Sequence, residues 1–153
     1  MSPHRAARAA TKLSPSATSK AFTSKALKVL LVLWAGSLWS AALWVAPTLF
    51  YAQGDKHLAG MLAARLFSIE TYLALAVAAL ALLSAARARL RFAYLAAALL
   101  AVNEWLLKSF MTQAHAEGHA LGLSFIAWHG ITALVYGSAC VLVLLLVWND
   151  DFR

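Results

Sequence analysis

The chain has 153 residues, one domain's worth, of which 63% are apolar and only 12% are charged. Soluble domains run near about 45–50% and about 25%, and disorder requires low hydrophobicity, so both readings are excluded in favour of an integral membrane protein. The net charge of +7 is gathered at one end, with Arg5, Arg8, Lys12, Lys20, Lys25 and Lys28 preceding the first apolar run and no acidic residue among them, so no basic surface is left for nucleic acid to follow.

Residues 1–26 are rich in Ser, Thr, Ala, Lys and Arg without apolar periodicity, which predicts a flexible basic cytoplasmic tail drawn to anionic lipid. Organelle transit peptides share this composition. A secretory signal fits less well, because its apolar core is about 7–15 residues and the uncharged run here extends from 29 to 54. Residues 27–149 form the transmembrane domain, with spans expected at about 27–50, 62–85, 91–112 and 122–148, since a run of roughly 18 or more apolar residues suffices to cross a bilayer. The third span is the least uniform, because Glu104 and Lys108 interrupt it. Pro47, near the end of the first, either closes that helix or is tolerated in it.

Lys and Arg favour cytoplasmic flanks. The tail and Arg87, Arg89 and Arg91 carry most of them, whereas the other two loops hold only Lys56 and Arg65. The expected fold is therefore an all-α integral membrane protein, four transmembrane helices in an antiparallel bundle with both termini cytoplasmic, multi-pass in a bacterial inner (plasma) membrane. Trp44, Tyr51, Trp105, Trp128 and Trp148 suit interfacial belts, while Trp34 and Trp39 suit packing. Cys140 stands alone in an apolar run and reads as a small packing residue.

Ionisable groups inside a span are costly and turn toward a bundle interior or water. Counted from the expected span ends at 1.5 Å per residue, Glu70, Glu104 and His129 share one level in the outer half of the bilayer, with Ser40 at similar depth and Lys108 above Glu104. One reading is a polar pocket that shares protons or binds a cation. The other pairs Glu104 with Lys108 one turn on and leaves Glu70 and His129 as interhelical hydrogen-bonding groups. His115 and His119 have the i,i+4 spacing that places two imidazoles on one helix face, so with Glu117 or His57 they outline a metal site, against solvated loop histidines as the alternative. A single histidine within the spans argues against a paired-histidine haem. No nucleophile–base set or phosphate loop is visible, so a non-enzymatic protein without a cofactor is expected. Gly36-x-x-x-Ser40 and Gly118-x-x-x-Gly122 read as close helix packing, within the bundle or between protomers.

The stretches Leu33-Trp34-Ala35-Gly36-Ser37-Leu38-Trp39, Val45-Ala46-Pro47-Thr48-Leu49-Phe50, Ala59-Gly60 and Arg65-Leu66-Phe67 resemble the bacterial transmembrane-protein-205-like domain, a domain of unknown function. Phe125-Ile126-Ala127-Trp128-His129-Gly130-Ile131-Thr132 is similar to that family's Phe-x-x-x-His-Gly element. The likeness runs over roughly residues 27–148 and is looser in the third span, where Asn103-Glu104 and Lys108 stand in place of a more apolar segment. It implies a four-helix membrane protein with no agreed activity. A distant similarity to copper-resistance membrane domains rests on the Trp-x-Gly helix and the following proline. The functional expectation is a small transport or ion-handling protein, and the alternative is a structural or accessory subunit of a larger membrane complex, with lipid and either a second copy or another membrane protein as partners.

Overall fold

The computed structural model describes residues 15–83 and 90–148, with side chains from residue 25 onward. Residues 1–14 of the expected tail, together with Arg87 and Arg89, lie outside the described residues. Four helices are long and apolar enough to cross a membrane, over Lys25–Ala52, Lys56–Leu82, Arg91–Glu117 and Phe125–Trp148.

The first helix opens earlier than composition suggests, running as an α-helix over Pro15–Ser40. Lack of an apolar face removes a reason to pack but does not prevent a helix from propagating outward once the apolar run has nucleated it, and proline suits a first helical position. The helix then makes a π-helical turn over Ala41–Val45 and continues as an α-helix over Ala46–Ala52. Pro47 explains the interruption. It has no N–H to donate, and its ring crowds the carbonyl four residues back. Widening the preceding turn relieves both problems, and Ala46 N–H donates to the Ala41 carbonyl.

A short connection follows. Gln53 N–H closes on the Leu49 carbonyl at 3.0 Å. Asp55 caps the second helix, Lys56–Leu82, by accepting from the backbone N–H groups of His57 and Leu58 at 2.8 and 3.2 Å. Lys56 turns back to donate to the carbonyls of Phe50 and Gln53 at the end of the first helix, which suits the negative end of its dipole. The second helix therefore starts about six residues before the expected residue 62, by its own capping acid. The third helix also runs past its expected end. It comprises Arg91–Val102, a π-helical turn over Asn103–Leu107, and Lys108–Glu117.

Gly118 ends that helix at φ 82°, a left-handed conformation that suits glycine. His119–Ala120 and Leu123–Ser124 then form a small antiparallel hairpin. Leu121 at φ 49° and Gly122 at φ 77° make its two-residue turn, both in the positive-φ region that such tight turns require. The spacing of Gly118 and Gly122 thus serves turn geometry and does not bring helices together. The fourth helix, Phe125–Trp148, begins three residues later than expected because the hairpin occupies the intervening chain.

The first helix packs on the second and fourth, and the third packs on the same two, so the bundle closes as a ring. Leu31, Trp34, Leu38, Val77, Leu100 and Val143 fill its centre. Ala74, Ala81, Ala93, Ala96 and Ala139 are fully buried with them, and such small residues let helix backbones approach closely. A second cluster of Ala114, Ala120 and Trp128 ties the hairpin to the third and fourth helices. There Trp128 Nε1 donates to the Ala120 carbonyl at 2.9 Å and its ring stacks on Phe110 at 4.9 Å. Trp128 is therefore buried structure and does not belong to the expected belt. Trp44, Tyr51, Trp105 and Trp148 are exposed as belts require. Gly36 and Ser40 also face outward, so their spacing serves no contact within the bundle.

Candidate functional site

Corrected helix ends change the depth of each polar group. Glu70 lies about 21 Å along the second helix from Lys56, close to its middle, by the helical rise. Glu104 lies about 20 Å from Glu117, also near mid-helix, whereas His129 is only about 6 Å beyond Phe125. The level shared by three groups is reduced to two carboxyls, and these face different neighbours.

Glu70 is 5% exposed, with Thr71 beside it at 3%. Its Oε2 lies 3.1 Å from Ser37 Oγ on the first helix, and the same hydroxyl lies 2.9 Å from the Trp34 carbonyl. The fourth helix brings Tyr136 and Cys140 within electrostatic reach of the carboxyl. Tyr136 Oη donates to the Leu38 carbonyl at 3.4 Å, and its ring meets Phe67 at 4.7 Å. Among the described residues no Lys, Arg or His side chain is ion-paired with Glu70.

Glu104 is held otherwise. Its Oε1 accepts from Lys108 Nζ at 2.6 Å and from Ser68 Oγ at 2.8 Å, while Lys108 also reaches Ser68 at 3.0 Å. The second π-helical turn contains Glu104 and ends just before Lys108, whose backbone N–H donates to the Asn103 carbonyl. Tyr72 and Trp105 meet edge to face at 6.4 Å on the same two helices. Ser68 and Glu70 are two residues apart, about 200° around a helix, so the second helix sends one polar group toward the third helix and the other toward the first.

The expected pocket is thus not assembled as one set. Glu104 and Lys108 pair, Glu70 meets Ser37, and no hydrogen bond or ion pair joins the two groups among the described residues. His129 is exposed and stacks on Phe125 at 6.1 Å. Ser40 is exposed, one turn beyond the serine that reaches the carboxyl. Ser37, Ser68 and Tyr136 were not legible as partners. Their only signal was a hydroxyl in an apolar run, at a depth that depended on the true helix ends.

The histidines are separated by the turn at Gly118. His115 remains helical, with its ring 5.1 Å from that of Phe125, but His119 lies in the first strand, which breaks the helical i,i+4 register. His57 sits in the first turn of the second helix. Among the described residues no three His, Cys, Asp or Glu side chains are grouped to hold a metal ion. A shallow apolar groove of about 260 Å³ on the first helix, lined by Trp44, Val45, Thr48, Leu49 and Ala52, accompanies the Pro47 distortion and includes neither carboxyl.

Four apolar helices enclosing a carboxyl define a multi-pass membrane protein. The chain belongs to the family described as "Domain of unknown function (DUF4149)", whose profile matches residues 29–120, more than half of its length. That match begins within the first helix, covers the second and third helices and both carboxyls, and ends after the first strand of the hairpin, leaving the element around His129 outside it. Neither the curated proteins nor the solved structures contain a match.

Proposed function

We propose that the protein is a small, non-enzymatic ion-handling protein of a bacterial inner membrane, working through Glu70. One observation carries this reading: a carboxyl stands near the middle of a membrane span, buried where three helices meet, without an ion-pair partner among the described residues. Such a group is costly in a bilayer, and an intramembrane ionisable residue is by default a candidate for proton or cation movement. Glu104 is less suited, because Lys108 already compensates its charge. The asymmetry of Lys and Arg supports placing both termini in the cytoplasm, with the basic tail against anionic lipid. The stretches around Trp34 and Pro47 support the likeness to transmembrane-protein-205-like domains.

The accessory-subunit reading draws on a separate observation. Trp44, Tyr51, Tyr72 and Trp105 are exposed on the first three helices, and Tyr72 and Trp105 meet edge to face there, an aromatic surface suited to a partner helix. Reconstitution in liposomes under an imposed pH or cation gradient separates the two. The ion-handling reading predicts flux in the native protein and its loss in Glu70→Gln. Native protein that is inert under every gradient, yet retains a membrane complex through gentle solubilisation, contradicts it and supports the subunit reading.

A further inference from the structure

The hydroxyl of Ser37 has one proton and two acceptors. It lies 2.9 Å from the Trp34 carbonyl and 3.1 Å from Glu70 Oε2. If Glu70 is a carboxylate, both neighbours can only accept, and the single hydroxyl proton must be divided between them in a weaker three-centre bond. If Glu70 carries a proton on Oε2, both contacts are satisfied. The acid O–H donates to Ser37 Oγ, and Ser37 donates to the Trp34 carbonyl, the usual backbone partner of a helical serine.

The surroundings agree with the neutral form. Among the described residues the first helix presents Ser37 and no charged group to this carboxyl, and the second presents Thr71 beside it. The fourth helix presents Tyr136 and Cys140, both buried. Of the charged groups of the third helix, Glu104 and Lys108 are bonded to Ser68 on another side of the second helix, while at the helix ends Arg91 lies over the Phe92 ring and Glu117 accepts from Gln113. A buried carboxylate without a cation is expensive, whereas a neutral acid in a complete hydrogen-bond chain is not.

We propose that Glu70 is a proton-binding site, and that the closed bundle is built around its neutral acid in a relay from Glu70 through Ser37 to the Trp34 carbonyl. Loss of the proton leaves Ser37 to divide one proton between two acceptors and leaves a buried charge uncompensated, which favours entry of a cation or water into the seam between the first, second and fourth helices. This deepens the ion-handling reading by naming the proton as the resident ligand.

Infrared difference spectroscopy of the full chain in lipid vesicles at neutral pH tests it. The expected result is a protonated-carboxyl C=O band that is lost in Glu70→Gln, kept in Glu104→Gln and shifted in Ser37→Ala. A spectrum in which Glu70→Gln removes only a carboxylate band overturns the proposal. So does an acid band unmoved by Ser37→Ala, which decides the matter even if the glutamine variant does not fold. Flux with an ionised Glu70 would overturn this inference and leave the functional reading standing, whereas an acid band without flux would do the reverse.

Discussion

Ser37 and Lys108 each complete the bonding of a carboxyl, and their removal should have different signatures. Ser37→Ala takes away the hydroxyl that meets Glu70 and leaves a buried polar group unsatisfied, a loss of about 1–3 kcal/mol. Glu70→Gln keeps the side-chain size and gives an amide N–H that can donate to Ser37, so its stability should stay within about 1 kcal/mol of the native protein. Unfolding titrations in mixed detergent micelles measure both. Lys108→Met strands Glu104 beside Ser68. Breaking a fully buried pair costs roughly 3–5 kcal/mol, and the loss here should fall below that range because the Lys108 side chain is 36% exposed. Adding Glu104→Gln to Lys108→Met should recover most of the loss, and a double-mutant cycle with no coupling would show that the pair contributes nothing.

At the scale of elements, the two π-helical turns and the hairpin set where polar groups fall. Leu121 has positive φ in a two-residue turn, a conformation disfavoured for a side chain of its type. Leu121→Asn should therefore stabilise the protein by up to about 1 kcal/mol, since asparagine tolerates that region. Thermal unfolding reads the change, and a lower transition temperature would mean that the leucine makes contacts beyond the turn.

The four helices were legible in the sequence because uncharged runs of membrane length leave little choice of structure. Their ends were less so. Asp55 is a recognisable N-cap, but Lys56, His57 and Arg65 gave its neighbourhood the charge of a loop. Gly118 and Gly122 have helical spacing and turned out to be turn residues. Those shifts moved His129 to the end of its helix and brought Ser37, in place of Ser40, to Glu70. Pairing of Glu104 with Lys108 was readable from spacing alone. Contacts between helices were not, because a one-dimensional pattern does not fix rotation about each axis.

For the whole molecule, ring closure of four helices places the two polar groups on different sides of the second helix, one enclosed and one partly open. The asymmetry of Lys and Arg predicts the orientation in the membrane, with residue 55 outside. Asp55→Cys should react with a membrane-impermeant maleimide added outside intact cells, and labelling only after the inner face is opened would reverse the proposed topology.

Glu70 is enclosed by the bundle against Ser37. Paired-cysteine cross-linking in native membranes tests it most directly, in a Cys140→Ala background so that no other thiol interferes. Ser37→Cys with Glu70→Cys should form a disulfide readily under mild oxidation, and Glu70→Cys with His129→Cys should not. Cross-linking of the second pair, or none in the first while Ser68→Cys with Glu104→Cys reacts, would contradict the account.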